Sequence, residues 1–352
     1  MEEVRMKDTK EIVNKLRSDT DASDDELRSL IEQPASGDVY LCRQADEVRR
    51  EHYGTDVYLR GLIEITNFCH NNCYYCGIRR DNAKVERYRL SQDEILECCE
   101  TGYGIGFRTF VMQGGEDEWF TDERMCGIIH AVKEKFPDCA VTLSIGEKSY
   151  DSYKSYFDAG ADRFLLRHET ANEEHYHKLH PTELSLANRK RCLWDLKKIG
   201  YQVGAGMMLE SPFQTTDNII EDLRFMKKLQ PDMIGIGPFI TAADTPFAHE
   251  KSGGAELTIR MLAIIRLMFP YVLLPATTAL GTIDPMGREK GLQSGANVVM
   301  PNLSPSRSRK LYNLYDNKAQ VNDEASKVKS EFEKRIEAAG YHAVTSRGDV
   351  LK

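Results

Sequence analysis

A closed parallel α/β barrel of the (β/α)8 TIM type is the fold this 352-residue sequence predicts, on three observations. Eight short runs are almost continuously apolar: 61–66, 109–113, 140–145, 163–168, 202–209, 233–238, 272–277 and 297–301. Strands covered on both faces read this way. Segments with helical apolar spacing lie between them, at 91–101, 122–136, 185–199, 216–229 and 257–268. Several of the intervening helices stop at a glycine just ahead of a strand (Gly160, Gly200, Gly295), the residue that accepts a left-handed helix end. This alternation favours a closed barrel over an open, doubly wound sheet.

Residues 1–54 form a helical extension. Asp21, Ser23 and Asp24 offer N-caps there, and Leu27, Leu30 and Ile31 recur at helical spacing. The barrel occupies 55–302. Residues 303–352 form a C-terminal helical extension that completes it, with helices at 307–315 and 324–339.

Hydrophobic residues are 41% and charged residues 29%, a balance that supports a large core rather than disorder. The net charge of −8 disfavours a broad nucleic-acid-binding face. No stretch approaches the ~18 apolar residues of a membrane span, and the N-terminus lacks a signal-peptide core. Nine unevenly spaced cysteines argue against a disulfide framework. A reducing cytoplasm is the expected setting.

Three of those cysteines, Cys69, Cys73 and Cys76, follow the first strand with C-x3-C-x2-C spacing, at the barrel end where sites assemble. Three thiolates leave a structural zinc site one ligand short unless His70 completes it. They suit a 4Fe–4S cluster with one iron left open. Gln113, Gly114, Gly115 and Glu116 close the second strand, and bare backbone there lets a ligand approach. Arg167, His168 and Glu169 end the fourth. Ser144 ends the third, and Met208 lies in the fifth. Thr277 and Thr278 end the seventh; their hydroxyls, with the amides of Ala279 and Gly281, could bind an anionic group. Met300 and Asn302 would lie across the same mouth, and Tyr312 could close it. Arg79, Arg80, Arg87 and Arg89 read as a solvated basic loop that could attract an anionic partner or an electron donor.

With Tyr75 as the aromatic, C-x3-C-x-aromatic-C after strand one resembles the signature of the radical S-adenosylmethionine (SAM) enzymes. The resemblance implies a 4Fe–4S cluster on Cys69, Cys73 and Cys76, its open iron chelated by SAM. It implies reductive cleavage of the SAM C5′–S bond to methionine and a 5′-deoxyadenosyl radical. It gives Tyr75, Gln113, Gly114, Gly115, Glu116 and Ser144 to the SAM site. Glu169 is given to the ribose, Arg189 to the methionyl carboxylate and Arg167 to the substrate.

Further segments, among them 160–172 (GADRFLLRHETAN), 235–240 (GIGPFI), 275–283 (PATTALGTI) and 295–302 (GANVVMPN), are similar to the radical SAM maturases of FeFe-hydrogenase over residues 55–315. Biotin synthase and methylornithine synthase resemble the chain more distantly. The resemblance implies an organometallic substrate, a cysteine-bound iron with two CO and one cyanide. A partner radical SAM maturase would make it, and a GTPase scaffold protein would receive the product. A low-potential electron donor is implied as well. Arg167, Thr277, Thr278, Met300 and Tyr312 would face that substrate. The alternatives are a radical SAM mutase acting on a small amino acid, and a non-catalytic iron–sulfur carrier. Some of these maturases hold a second cluster in the tail; residues 316–331 contain no cysteine here, so none can be cysteine-bound there. The other six cysteines read as buried structural thiols.

Overall fold

The computed structural model describes residues 2–318 and 325–351. Six strands form one parallel sheet in chain order: Gly61–Thr66, Thr109–Gly114, Ala140–Ser144, Arg163–Leu165, Gln202–Ala205 and Met233–Ile234. Backbone hydrogen bonds then close the ring. Ile234 N donates to Leu273 O (3.0 Å), Ala276 N to Val298 O (2.9 Å) and Leu62 N to Pro301 O (2.9 Å). The barrel therefore has eight positions, two of them held by short ladders.

The seventh predicted strand, 272–277, is corrected. It pairs only at Leu273 and Pro275. Pro275 has no N–H to give a ladder, and Thr277 already caps the helix Thr278–Ile283. The fifth and sixth runs each break in two. Met208–Leu209 and Gly237–Pro238 pair separately, beyond the main sheet. Gly206 sits at that break with φ +157, and a Cβ on it would lie 1.9 Å from Gly235 O. Backbones this close admit no side chain.

The helices lie where the apolar spacing puts them: Gln92–Gly104, Asp122–Lys135, Leu186–Ile199, Thr216–Leu229 and Ala255–Met268. Ser91 and Thr215 close reciprocal capping boxes. Three helices fill the N-terminal extension: Glu2–Asp19, Asp24–Ile31 and Asp38–Tyr53.

The predicted helix 307–315 shortens to Ser306–Arg309. Beyond it the chain is drawn onto the cysteine loop, where Asn67 Nδ2 donates to Leu311 O and Gly77 N to Leu314 O, both at 2.8 Å. The predicted 324–339 helix is found over Ala325–Ala338; residue 324 lies outside the described residues.

Two strands were not predicted. Asp56–Leu59 pairs with Val298–Val299 on one side and His342–Val344 on the other. Below them the tail seals the barrel floor. Buried Arg163 donates to Arg347 O (2.7 Å) and Asp349 Oδ1 (2.5 Å), and buried Arg60 reaches Gly348 O (3.3 Å). Among the described residues, no helix is long and apolar enough to cross a membrane.

Candidate active site

The cysteine loop leaves the first barrel strand at Thr66 and is fixed from several sides. His70 N donates to Glu116 O (2.9 Å) and Tyr74 N to Leu179 O (3.0 Å). Glu116 N points at Cys69 Sγ (3.4 Å). Arg87 reaches the carbonyls of Asn67, Ile78 (2.8 Å), Arg79 (2.7 Å) and Asn82 (3.2 Å). Arg89 makes a bidentate pair with Asp117 (2.7 and 2.9 Å) and lies 3.7 Å over the Phe68 ring. The reading of these arginines as a solvated basic loop is therefore corrected for Arg87 and Arg89. They clamp the loop, and only Arg80 matches that description.

Burial pushes all three thiols up, Cys76 to about 12, and for Cys73 and Cys76 the neighbouring cysteines push in the same direction. Such a set becomes three thiolates only beside compensating positive charge, which an iron cluster supplies. Among the described residues, no three His, Cys, Asp or Glu side chains converge on a point for a single ion. His70 faces Glu116 and Glu118 (3.6 and 3.5 Å). Soft donors spread around a larger body fit a cluster better than mononuclear zinc.

One cavity of about 300 Å³ brings together Cys69, Cys73, Tyr75, Cys76, the whole Gln113–Gly114–Gly115–Glu116 turn, Ser144, Arg167, Glu169, Arg189, Met208 and Tyr312. These come from residues up to 243 apart in sequence and meet because the strands discharge at one barrel face. Gly115 serves the loop as much as any ligand: a Cβ there would lie 2.1 Å from Phe68 O and 2.7 Å from Cys69 Cβ.

Arg189 is buried between two carboxylates, with Glu147 at 2.8 Å and Glu116 at 3.8 Å. Burial opposes its charge, but the two carboxylates outweigh this and raise its pKa. Burial raises the Glu147 carboxyl. Tyr75 OH sits 3.1 Å from His180 Nε2. The His180 ring stacks on Tyr176 at 4.0 Å, and burial lowers its pKa to about 3. The ring is thus neutral, and with Nδ1 on Tyr176 O (3.0 Å), Nε2 is the acceptor for the Tyr75 hydroxyl. Neither Glu147 nor His180 was foreseen. Glu147 had a signal, a carboxylate just past a barrel strand; His180 had none.

The substrate end differs from expectation. Tyr312 lines the cavity, fully buried, its hydroxyl accepting from Gln113 Nε2 (3.3 Å). Arg167 pairs with Glu169 (2.9 Å) and donates to Met207 O (2.8 Å). Thr278, Met300 and Asn302 line a separate cavity of about 40 Å³, with Glu64, Arg288 and Lys318. Thr277 lines neither cavity; its hydroxyl accepts from Leu280 N as a helix cap. The single mouth expected from strands four, seven and eight is thus divided. In the smaller cavity Lys318 folds inward onto the buried Glu64 carboxylate and Tyr312 O (2.9 Å), while Asn302 donates to Glu64 Oε2 (2.8 Å).

The thiol spacing, the turn behind it and the barrel end can be set beside known proteins. Residues 63–226 match the model of the Radical SAM superfamily, a stretch that holds the thiols, Glu116, Glu169 and Arg189. The [FeFe] hydrogenase maturase subunit HydE of Thermotoga maritima is 47% identical over 281 residues, 80% of each chain. The chain belongs to the radical SAM superfamily. A second relative, 3-methylornithine synthase of Methanosarcina acetivorans, is 30% identical over 321 residues, 90% of this chain and 89% of the relative. The crystal structure of a methylornithine synthase superposes with a TM-score of 0.83 at 26% identity, covering 95% of this chain and 97% of the other. This chain is accordingly a radical SAM enzyme on a TIM-type fold. That chemistry uses a 4Fe–4S cluster and SAM, and the three-thiol loop opening on one cavity that also holds Glu116, Glu169 and Arg189 fits both.

Proposed function

We propose that this chain is a maturase of FeFe-hydrogenase, acting on a cysteine-bound iron that carries two CO and one cyanide. The observation that carries the proposal is the single cavity joining three cluster-type thiols to Glu116, Arg167, Glu169 and Arg189, in a chain 47% identical to HydE. When bound, the cluster and SAM supply reductive cleavage of the SAM C5′–S bond.

The protein's part is to hold and orient. Cys69, Cys73 and Cys76 would hold the cluster. The Gln113–Glu116 turn would take the methionyl ammonium, and Arg189 its carboxylate, with Glu116 and Glu147 keeping the guanidinium charged. Tyr75 and Ser144 would flank the nucleoside, and Glu169 would accept from the ribose. Arg167 and Tyr312 would meet the anionic substrate. Thr278 and Met300, which share the smaller cavity with Glu64 and Lys318, would form the outer end of the substrate site, with Thr277 capping the helix that carries Thr278. The substrate would come from a partner radical SAM maturase and the product pass to a GTPase scaffold. A low-potential donor would reduce the cluster, in an anaerobic cytoplasm.

The second reading, a mutase acting on a small amino acid, is favoured by the full-length match to methylornithine synthase. Anaerobic reconstitution separates the two. The protein should hold about four irons and four sulfides. With SAM and reductant, the iron dicarbonyl cyanide complex should accelerate methionine release and give a new EPR signal. Acceleration by amino acids alone would favour the mutase. Each of Cys69→Ala, Cys73→Ala and Cys76→Ala should abolish SAM cleavage.

A further inference from the structure

Between Arg167 and Glu169, which line the cavity, sits a residue with no part in the scheme above. His168 points to the other face of the strand end, as alternation requires, and is fully buried. Its ring lies edge-on to Phe225 at 5.0 Å. Its Nε2 is 3.1 Å from Oδ1 of Asp222, a fully buried carboxylate on the helix Thr216–Leu229. Its Nδ1 faces the backbone N–H of Gly206 at 3.4 Å. A backbone N–H only donates, so Nδ1 accepts and the ring proton sits on Nε2, where it is given to Asp222. The same Asp222 oxygen accepts from Ala171 N, and its other oxygen has no protein partner.

The backbone is bound on the opposite side too. The amides of His168 and Glu169 both donate to Gly206 O, at 2.9 and 3.1 Å. Between these ties Glu169 is held at φ +65. That left-handed conformation is uncommon for a glutamate. In that conformation its carboxylate lies 2.9 Å from Arg167 and on the cavity wall.

We propose that His168, acting through Asp222, is a positioning residue that imposes the left-handed turn at Glu169 and so aims Glu169 and Arg167 at bound SAM and substrate. The proposal rests on the reading of Glu169 as a ribose contact. The Gly206 carbonyl and the Asp222 carboxylate grip the turn from two elements, and the His168 ring hydrogen-bonds to both elements, through Nδ1 to Gly206 N and Nε2 to Asp222.

The test uses full-length, cluster-loaded protein under anaerobic conditions, reading SAM affinity by equilibrium dialysis and the cluster by iron content and visible absorption. His168→Phe keeps a ring beside Phe225 but cannot donate. His168→Gln carries an amide N–H to about the reach of Nε2, while His168→Asn supplies only the nearer acceptor. The expected result is a SAM dissociation constant raised about tenfold in the Phe and Asn variants and within about twofold of wild type in Gln, with iron content unchanged in all three. Should the Phe variant fail to fold, the Gln–Asn contrast decides, and equal affinities in those two overturn the proposal.

Glu169→Gln separates the proposal from the reading beneath it. Weakened SAM binding in Glu169→Gln with wild-type binding in His168→Phe overturns the proposal alone. Wild-type binding in Glu169→Gln overturns both.

Discussion

Arg87 shows what the spacing of three cysteines leaves unsaid. The thiols were legible because their chemistry is local, all within eight residues of the sequence. The clamp that holds their loop was not, because its partners are backbone carbonyls, which carry no residue identity. The same holds for His180, whose partner Tyr75 lies 105 positions away. Arg87→Met should therefore keep every cluster ligand and still lose cluster. A fall of about 2 kcal/mol in unfolding free energy is expected from the lost charged hydrogen bonds, with iron released on desalting. Lys should restore only part, since an ammonium cannot reproduce a planar fork reaching four carbonyls. Full iron retention in Arg87→Met would show that the loop holds itself.

At the scale of elements, the strand and helix periods place most of the barrel, and the exceptions have local causes. Proline ends the seventh ladder at Pro275, and a glycine crossing breaks the fifth and sixth strands at Gly206. The short strands Asp56–Leu59 and His342–Val344 escaped because three or four residues give too little alternation to stand out. Thr277 makes the distinction between cap and ligand testable. Thr277→Ala should cost about 1 kcal/mol through the lost N-cap, while Thr277→Ser should stay within a few tenths. If both variants were equally stable and the Ala form lost only substrate affinity, the threonine would be a ligand and not a cap.

Across the whole molecule, the tail that closes the barrel floor couples the last residues to the first half of the chain. Burial alone would raise the Asp349 carboxyl, but hydrogen bonds from Arg347, Gln202 and Arg163 hold it well below the usual carboxylate range. A depressed carboxyl stabilises the fold above its unfolded pKa of about 4, and that contribution is lost as pH falls through the folded value. Asp349→Asn should thus be less stable than wild type near neutrality, and the gap should narrow as pH is lowered towards about 3, read from urea midpoints across that range. A gap independent of pH would remove the charge from the account of the floor.

The barrel, its floor and its clamped loop converge on one claim, that three thiols and one cavity couple SAM cleavage to an iron carbonyl cyanide substrate. Methionine release from SAM by the reduced, reconstituted protein tests it most directly. The account predicts release that the complex accelerates and that disappears in Cys73→Ala. Release that ignores the complex, or that survives the loss of Cys73, would contradict it.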